Sequence, residues 1–188
     1  MKIYTRRGDD GTTGLLYGGR TPKDAPVIEA TGAVDEAQAA LGLARAEAPS
    51  GSEVDRLLIG VERDLYVLMA ELATLPENRG KLTPGASLVA PEMVEGLEHT
   101  IDELTGRFPP VTEFVLPGHN RLCAALDLAR SVVRRAERSA VGVSPPGSLI
   151  GTYLNRLSDL VWTIARWQEN GDALPAAQRR GEHDQWQE

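Results

Sequence analysis

Five segments of this chain repeat apolar residues at the three-and-four spacing of an amphipathic helix, and that repetition restricts the fold more than any other feature. The clearest carries Val54, Leu57, Leu58, Val61, Leu65, Leu68 and Leu72. A second runs from about Val27 to Ala46. A third opens at Pro91, in the favoured first-turn position, and repeats Val94, Leu97, Ile101 and Leu104 before Gly106 ends it. A fourth begins after the candidate N-cap Asn120 and reaches about Val143, where Pro145-Pro146-Gly147 stops it. The fifth spans roughly Thr152 to Glu169 on Leu154, Leu157, Leu160, Val161 and Ile164. Short connections between long amphipathic helices predict an all-α, five-helix up-and-down bundle. At 188 residues the chain fits one domain.

Three stretches break the helical pattern. Residues 1–26 hold Gly8, Gly11, Gly14, Gly18 and Gly19 among threonines and charges, which reads as an extended, backbone-exposing loop of the kind that binds ligands. Leu75 to Leu88 reads as a mobile connection, whereas Arg107 to Gly118 pins the apolar tripeptide Phe114-Val115-Leu116 between prolines. The bundle is expected over 27–170, and 171–188, with Arg179-Arg180 and His183, as a polar, flexible tail.

The fourth helix concentrates Arg130, Arg134, Arg135 and Arg138 around Glu137 in a chain of net charge -7. At about 100° per residue, Arg130, Arg134 and Glu137 share a stripe roughly 60° wide, beside an apolar face of Leu122, Ala129, Val133, Ala136 and Ala140. A guanidinium at the margin of a core keeps its donors while losing competing water, so it suits two-pronged contact with phosphate. The alternative is a solvated face with pairs such as Arg134 and Glu137, each worth about 0.2–0.5 kcal/mol. An acidic surface disfavours nucleic acid as partner, so a polyanion must be small and bind locally. The single cysteine, Cys123, excludes an internal disulfide and reads as a buried small hydrophobe. No apolar run reaches the roughly 18 residues of a membrane span, and the start carries no apolar signal region; a cytoplasmic protein is expected.

Thr5-Arg6-Arg7-Gly8-Asp9-Asp10-Gly11-Thr12-Thr13-Gly14 combines glycines that expose main-chain N–H groups with hydroxyls and two cations, which is what a polyphosphate requires. The same run also reads as a tight turn. It is not a Walker A loop. Lys23 either adds a phosphate contact or is exposed. Asp35 and Asp159 are candidates to pair with arginines of the fourth helix. Asn155 and Asp159, one turn apart, can face one site, and Asn155 offers a donor and an acceptor to a ribose or adenine edge. The scattered histidines His99, His119 and His183 make a protein-ligated metal improbable, while Mg2+ can arrive with a nucleotide's phosphates.

Taken together, these pieces resemble the PduO-type ATP:cob(I)alamin adenosyltransferases. The resemblance runs end to end: Lys2-Ile3-Tyr4-Thr5 with Gly8-Asp9-x-Gly11, Glu29-Ala30-x-Gly32-x-Val34-Asp35-Glu36, Glu71-Leu72-Ala73-Thr74, Phe114-Val115-Leu116-Pro117-Gly118, Ala129-Arg130, Arg134-Arg135-Ala136-Glu137-Arg138, and Tyr153-Leu154-Asn155-Arg156-Leu157-Ser158-Asp159. The resemblance implies a five-helix bundle assembled as a homotrimer, with ATP and the corrinoid at subunit interfaces.

It further implies that Thr5, Arg6, Arg7, Gly8, Thr13, Gly14 and Lys23 hold the triphosphate together with Arg134, Arg135, Glu137 and Arg138, and that Asn155 meets the nucleoside. Arg130 would pair with Asp35 across a subunit boundary. Phe114 would fill the lower face of the corrin, excluding the nitrogen base and water so that four-coordinate cobalt(II) can be reduced. The resulting cob(I)alamin would attack C5′ of ATP and expel triphosphate, the arginines and Mg2+ stabilising the charge that develops. A reductase and an adenosylcobalamin-dependent enzyme are the partners this chemistry implies. The chain departs from the family pattern at His119-Asn120, where a glycine usually follows, at Asp127, often histidine, and at Ala37-Gln38. Two other readings stay open: a non-catalytic protein that binds or delivers ATP or adenosylcobalamin, and a helical scaffold whose arginines form interface salt bridges.

Overall fold

The computed structural model describes residues 3–177. It contains α1 (Pro26–Glu47), α2 (Glu53–Leu72), α3 (Pro91–Thr105), α4 (Arg121–Val141) and α5 (Ile150–Glu169), within a few residues of the bounds read from periodicity. Local chemistry accounts for those bounds. Pro26 and Pro91 occupy first-turn positions, and Ser52 and Asn120 cap their helices by accepting from Asp55 N at 3.2 Å and Cys123 N at 2.8 Å. Asn170 ends α5 in the left-handed region at φ 50°.

α4 is the centre of the bundle, packing on α1 along one side and α5 along the other; α2 lies against α1, and α3 against α5. The α1–α4 seam is lined by Ala30, Ala33, Ala37 and Ala44 on one helix and Ala129, Ala136 and Ala140 on the other, all buried. Short side chains let the two backbones approach closely. Larger residues fill the rest of the core, with Leu58, Leu65, Leu68, Leu126, Leu157 and Ile164 fully enclosed. Cys123 is buried among them, as expected, and burial pushes its thiol up to about 11. No helix among the described residues is long and apolar enough to cross a membrane.

Cross-helix pairs give the direction of each helix. Glu36 pairs with Arg135, and Glu47 with Arg121 at 3.1 Å, so α1 and α4 are antiparallel. Asp127 meets Arg166 at 2.8 Å and Glu137 meets Asn155 at 3.1 Å, so α4 and α5 are antiparallel as well. The amino-terminal segment and the carboxyl end of α4 therefore share one end of the bundle, and the Phe114 segment occupies the other.

Three expectations need correction. The amino-terminal segment is not all extended loop: β1 (Thr12–Gly14) and β2 (Arg20–Pro22) form an antiparallel hairpin with Thr13 opposite Thr21, its five-residue connection closing through Tyr17, Gly18 and Gly19 at positive φ. The connection after α2 is anchored, with a 3₁₀ turn at Pro76–Lys81 and Ser87, Val89 and Ala90 buried. Of the tail expected to be flexible, residues 171–177 are tied down: Leu116 N donates to Leu174 O at 2.8 Å and Ala176 N to Phe114 O at 2.6 Å. Residues 178–188 lie outside the described residues.

Candidate active site

The hairpin end of the bundle presents the first part of the site. Asp10 accepts from Thr12 N at 2.9 Å and from Thr12 Oγ1 at 2.8 Å, and Arg20 reaches back with Nε to Thr12 Oγ1 at 2.9 Å and with Nη2 to the carbonyl of Arg7. The Thr12 backbone N–H, then its hydroxyl, then Arg20 hold the Asp10 carboxyl below the usual carboxylate range. A Cβ at position 8 would stand 3.1 Å from Cε and Nζ of Lys23 and from the Thr12 carbonyl oxygen, so a side chain there would crowd the ammonium against the loop. Lys23 is further fixed by its N–H, which donates to Gly11 O at 2.9 Å. The loop thus carries Thr5, Arg6, Arg7 and Lys23 as exposed groups, with Gly8 and Thr13 half-buried and Gly14 exposed around them. Arg6 sits at φ 60° with its guanidinium 5.6 Å from the Tyr4 ring.

Arginines of α4 supply the second part. Arg134, Arg135 and Arg138 are exposed. Arg135 is engaged with Glu36 of α1, whereas Arg134 makes no ion pair among the described residues and Arg138 Nη1 donates to the Arg134 carbonyl at 3.0 Å. Glu137 accepts from Asn155 Nδ2 at 3.1 Å, and Asn155 Oδ1 accepts from Arg156 Nη1 at 2.9 Å. Asn155 is thereby coupled to the arginine helix. Asp159 makes no direct contact with Glu137 and instead lies 3.8 Å from Arg156 Nη1, the same atom that meets Asn155 Oδ1. Nor does Asp159 pair with an α4 arginine. Within the chain the α1–α4 ion pairs are formed by Glu36 and Glu47; Asp35 is exposed and unpaired among the described residues, and Arg130 is half-buried with a buried Nε that has no hydrogen-bond partner.

At the other end, Phe114 projects into solvent with 90% of its surface exposed, on a segment clasped by residues 174–176 and bridged from Val115 to Pro175. Behind it lies a cavity of about 200 Å³ lined by Val111, Val115, Pro175, Arg166 and Glu169. Asp127, the departure from the family pattern, does not point to this surface: its carboxylate is buried against Arg166, which also meets Glu169 at 2.6 Å. Burial pushes the Glu169 carboxyl above the ordinary value, with Arg166 opposing the shift.

The hairpin end and the Phe114 end are separated by the 21 residues of α4, about 30 Å at 1.5 Å per residue. Arg130, Arg134 and Arg138 follow one another at about one turn each from the middle of α4 toward its carboxyl end, spanning about 12 Å. Among the described residues, no three His, Cys, Asp or Glu side chains converge as a metal-binding group.

Sequence reasoning missed Arg20, the side chain that knits the loop together. Its position just after Gly18-Gly19 was the available signal, since an arginine directly following a turn faces the strand opposite. It also missed the Asp127–Arg166–Glu169 cluster, because Asp127 meets the α5 pair of Arg166 and Glu169 only when α4 and α5 pack.

Comparison with known proteins places this geometry in context. The sequence profile of the cobalamin adenosyltransferase family matches residues 3–168. The corrinoid adenosyltransferase of Bacillus subtilis is 38% identical over 173 residues, covering 88% of this chain and 86% of that protein. Corrinoid adenosyltransferase PduO of Citrobacter freundii is also 38% identical over 173 residues, covering 90% of this chain, which spans about half the length of that relative (50%). Among solved structures, a variant PduO-type ATP:corrinoid adenosyltransferase from Lactobacillus reuteri, complexed with cobalamin and ATP, superposes with a TM-score of 0.81 at 29% identity, over 95% of this chain and 97% of that one. With a family profile matched over nearly its whole described length and a relative 38% identical over most of both chains, this chain belongs to the cobalamin adenosyltransferase family.

Proposed function

We propose that this protein transfers the 5′-deoxyadenosyl group of ATP to cob(I)alamin, giving adenosylcobalamin and triphosphate. The observation that carries the reading is the exposed Arg134 beside the Asn155–Glu137 pair, in the half of α4 toward the hairpin, while the exposed Phe114 lies on the segment that leads into the other end of that helix. In this reading Thr5, Arg6, Arg7, Gly8, Thr13, Gly14 and Lys23 hold the triphosphate from one side, and Arg134, Arg135 and Arg138 from the other, with Glu137 orienting Asn155 toward the nucleoside. Cobalt(I) supplies the electron pair for the new cobalt–carbon bond, and the C5′–oxygen bond breaks toward the triphosphate. Cations already in place stabilise the charge that gathers on the leaving oxygen. No proton transfer is needed at carbon, so no general base is required.

Phe114 has the exposure and apolar character to cover the lower face of the corrin, which would keep a nitrogen base and water away from cobalt. Mg2+ bound through the phosphates would neutralise part of their charge. The roughly 30 Å between the two ends of one chain, together with the unpartnered Arg130 Nε and the exposed Asp35, supports a homotrimer in which neighbouring copies complete each site. A reductase that delivers cob(I)alamin and an enzyme that consumes adenosylcobalamin are the partners implied.

The test is direct. Reduced cobalamin mixed with ATP and the protein should show the corrinoid absorbance change of alkylation with stoichiometric release of triphosphate. Binding of adenosylcobalamin without turnover would instead identify a delivery protein. Sedimentation with and without ATP tests the trimer.

A further inference from the structure

We infer that Glu71 is a positioning residue for the nucleotide loop: its buried carboxylate holds together the platform on which residues 5–23 are docked and the start of the helix that carries Asn155. The inference rests on reading residues 5–23 as the ATP-binding loop.

Glu71 is 1% exposed at the end of α2 and touches nothing in the proposed chemistry. Its oxygens are nonetheless fully used. Oε1 accepts from Arg79 Nη2 at 2.8 Å and from Ser148 Oγ at 2.7 Å, and Oε2 accepts from Val89 N at 2.8 Å. Those donors come from three places distant in sequence: the 3₁₀ turn after α2, the strap leading into α3, and the connection from α4 to α5. A carboxylate so buried is stable only while all these partners are present, so it acts as a pin through the hairpin end of the bundle.

The residues directly after Glu71 form the seat of the loop. Leu16 N donates to Ala73 O at 2.8 Å, and Leu16 bridges to Thr74. Leu75 then lies so close to Gly19 that a Cβ there would stand 2.5 Å from Leu75 Cδ1. Gly19 is at φ 91°, within the turn that brings Arg20 back to Thr12 and Arg7. A shift of residues 73–75 is therefore passed directly to the loop. The Ser148 contact extends the same constraint to α5, whose Asn155 lies within two turns of it.

The experiment compares wild type, Glu71→Gln and Ser148→Ala in the full chain, measuring kcat, KM for ATP, KM for cobalamin, and hydrogen exchange of the Leu16 amide. Gln keeps the acceptor for Val89 N but loses the charge that faces Arg79. The expected result is an ATP KM raised about tenfold, with kcat at saturating ATP and the cobalamin KM within about twofold of wild type. Leu16 exchange should accelerate while core amides of α4 stay protected. Ser148→Ala, which loses one hydrogen bond, should move the same two readouts less, and it decides the matter if Glu71→Gln does not fold. An unchanged ATP KM with unchanged Leu16 exchange overturns the inference. So does a general loss in which kcat, both KM values and all amides deteriorate together. Should wild type itself bind no ATP, the reading of the loop fails separately, and Leu16 exchange alone decides whether Glu71 positions the hairpin.

Discussion

Asn155 of α5 donates its Nδ2 to Glu137 Oε1 of α4 at 3.1 Å, locking a neutral side chain with one free donor beside the arginines. Glu137 thus fixes the orientation of the Asn155 amide across the α4–α5 seam.

Arg134→Ala and Asn155→Ala should each leave the fold intact, because Arg134 is exposed and Asn155 only half-buried, yet lower kcat roughly 10²–10³-fold, as expected for losing one preorganised group that meets developing charge. Thermal unfolding followed by circular dichroism, alongside rates at saturating ATP, checks both halves. Near-normal turnover would remove the arginine clamp.

Phe114→Ala should retain ATP binding and stability, since the ring is 90% exposed, while abolishing the four-coordinate cobalt(II) signal in electron paramagnetic resonance. An unchanged signal in the variant refutes the wedge role.

Arg166→Leu should destabilise the protein by about 3–5 kcal/mol, because it strands two buried carboxylates, Asp127 and Glu169, against which the guanidinium is packed. Urea unfolding measures this. A loss below about 1 kcal/mol would mean that the cluster is solvated in solution.

Asp64 is half-buried and accepts from the Tyr153 hydroxyl at 2.8 Å; burial raises its carboxyl above the ordinary value, the hydrogen bond opposing the shift. With the folded pKa raised, the folded state holds the proton more tightly. Its contribution is therefore greatest below the unfolded carboxylate pKa and declines as pH climbs from there through the folded value. Asp64→Asn keeps an acceptor for Tyr153 without that titration, so it should gain stability relative to wild type as pH rises through this window toward neutrality. Parallel melting-temperature curves for the two proteins across that range would contradict the assignment.

Native Cys123 should resist iodoacetamide at pH 8 and react at the rate of an ordinary thiol once the protein is unfolded, because burial both covers the sulfur and pushes its pKa to about 11. Rapid labelling of the native protein would show that the α4–α5 seam opens.

Much of the bundle was legible because helical periodicity is a local property: Leu58, Leu65 and Leu68 recur at a spacing that only a helix can place on one face, and Pro26, Ser52, Pro91 and Asn120 mark where turns begin. The arginine helix was legible for the same reason, since Arg130, Arg134 and Arg138 are one turn apart whatever surrounds them. Glu71 was visible only as part of a recurring string; its partners Arg79, Val89 and Ser148 are 8, 18 and 77 residues away. The hairpin was hidden because three-residue strands carry too few positions for alternation to register.

By itself, then, the order of residues determined five amphipathic rods, their ends and the cationic stripe on the fourth, all consequences of interactions within a few residues. Tertiary structure alone decided which charges are free to meet a ligand. It buried Asp127 against Arg166, set the still exposed Arg135 beside Glu36, left Arg134 without an ion pair among the described residues, and held the apolar Phe114 out in solvent. The reason is physical: the charge state and exposure of a side chain depend on what packing brings beside it, and antiparallel packing brings together residues that no local pattern relates.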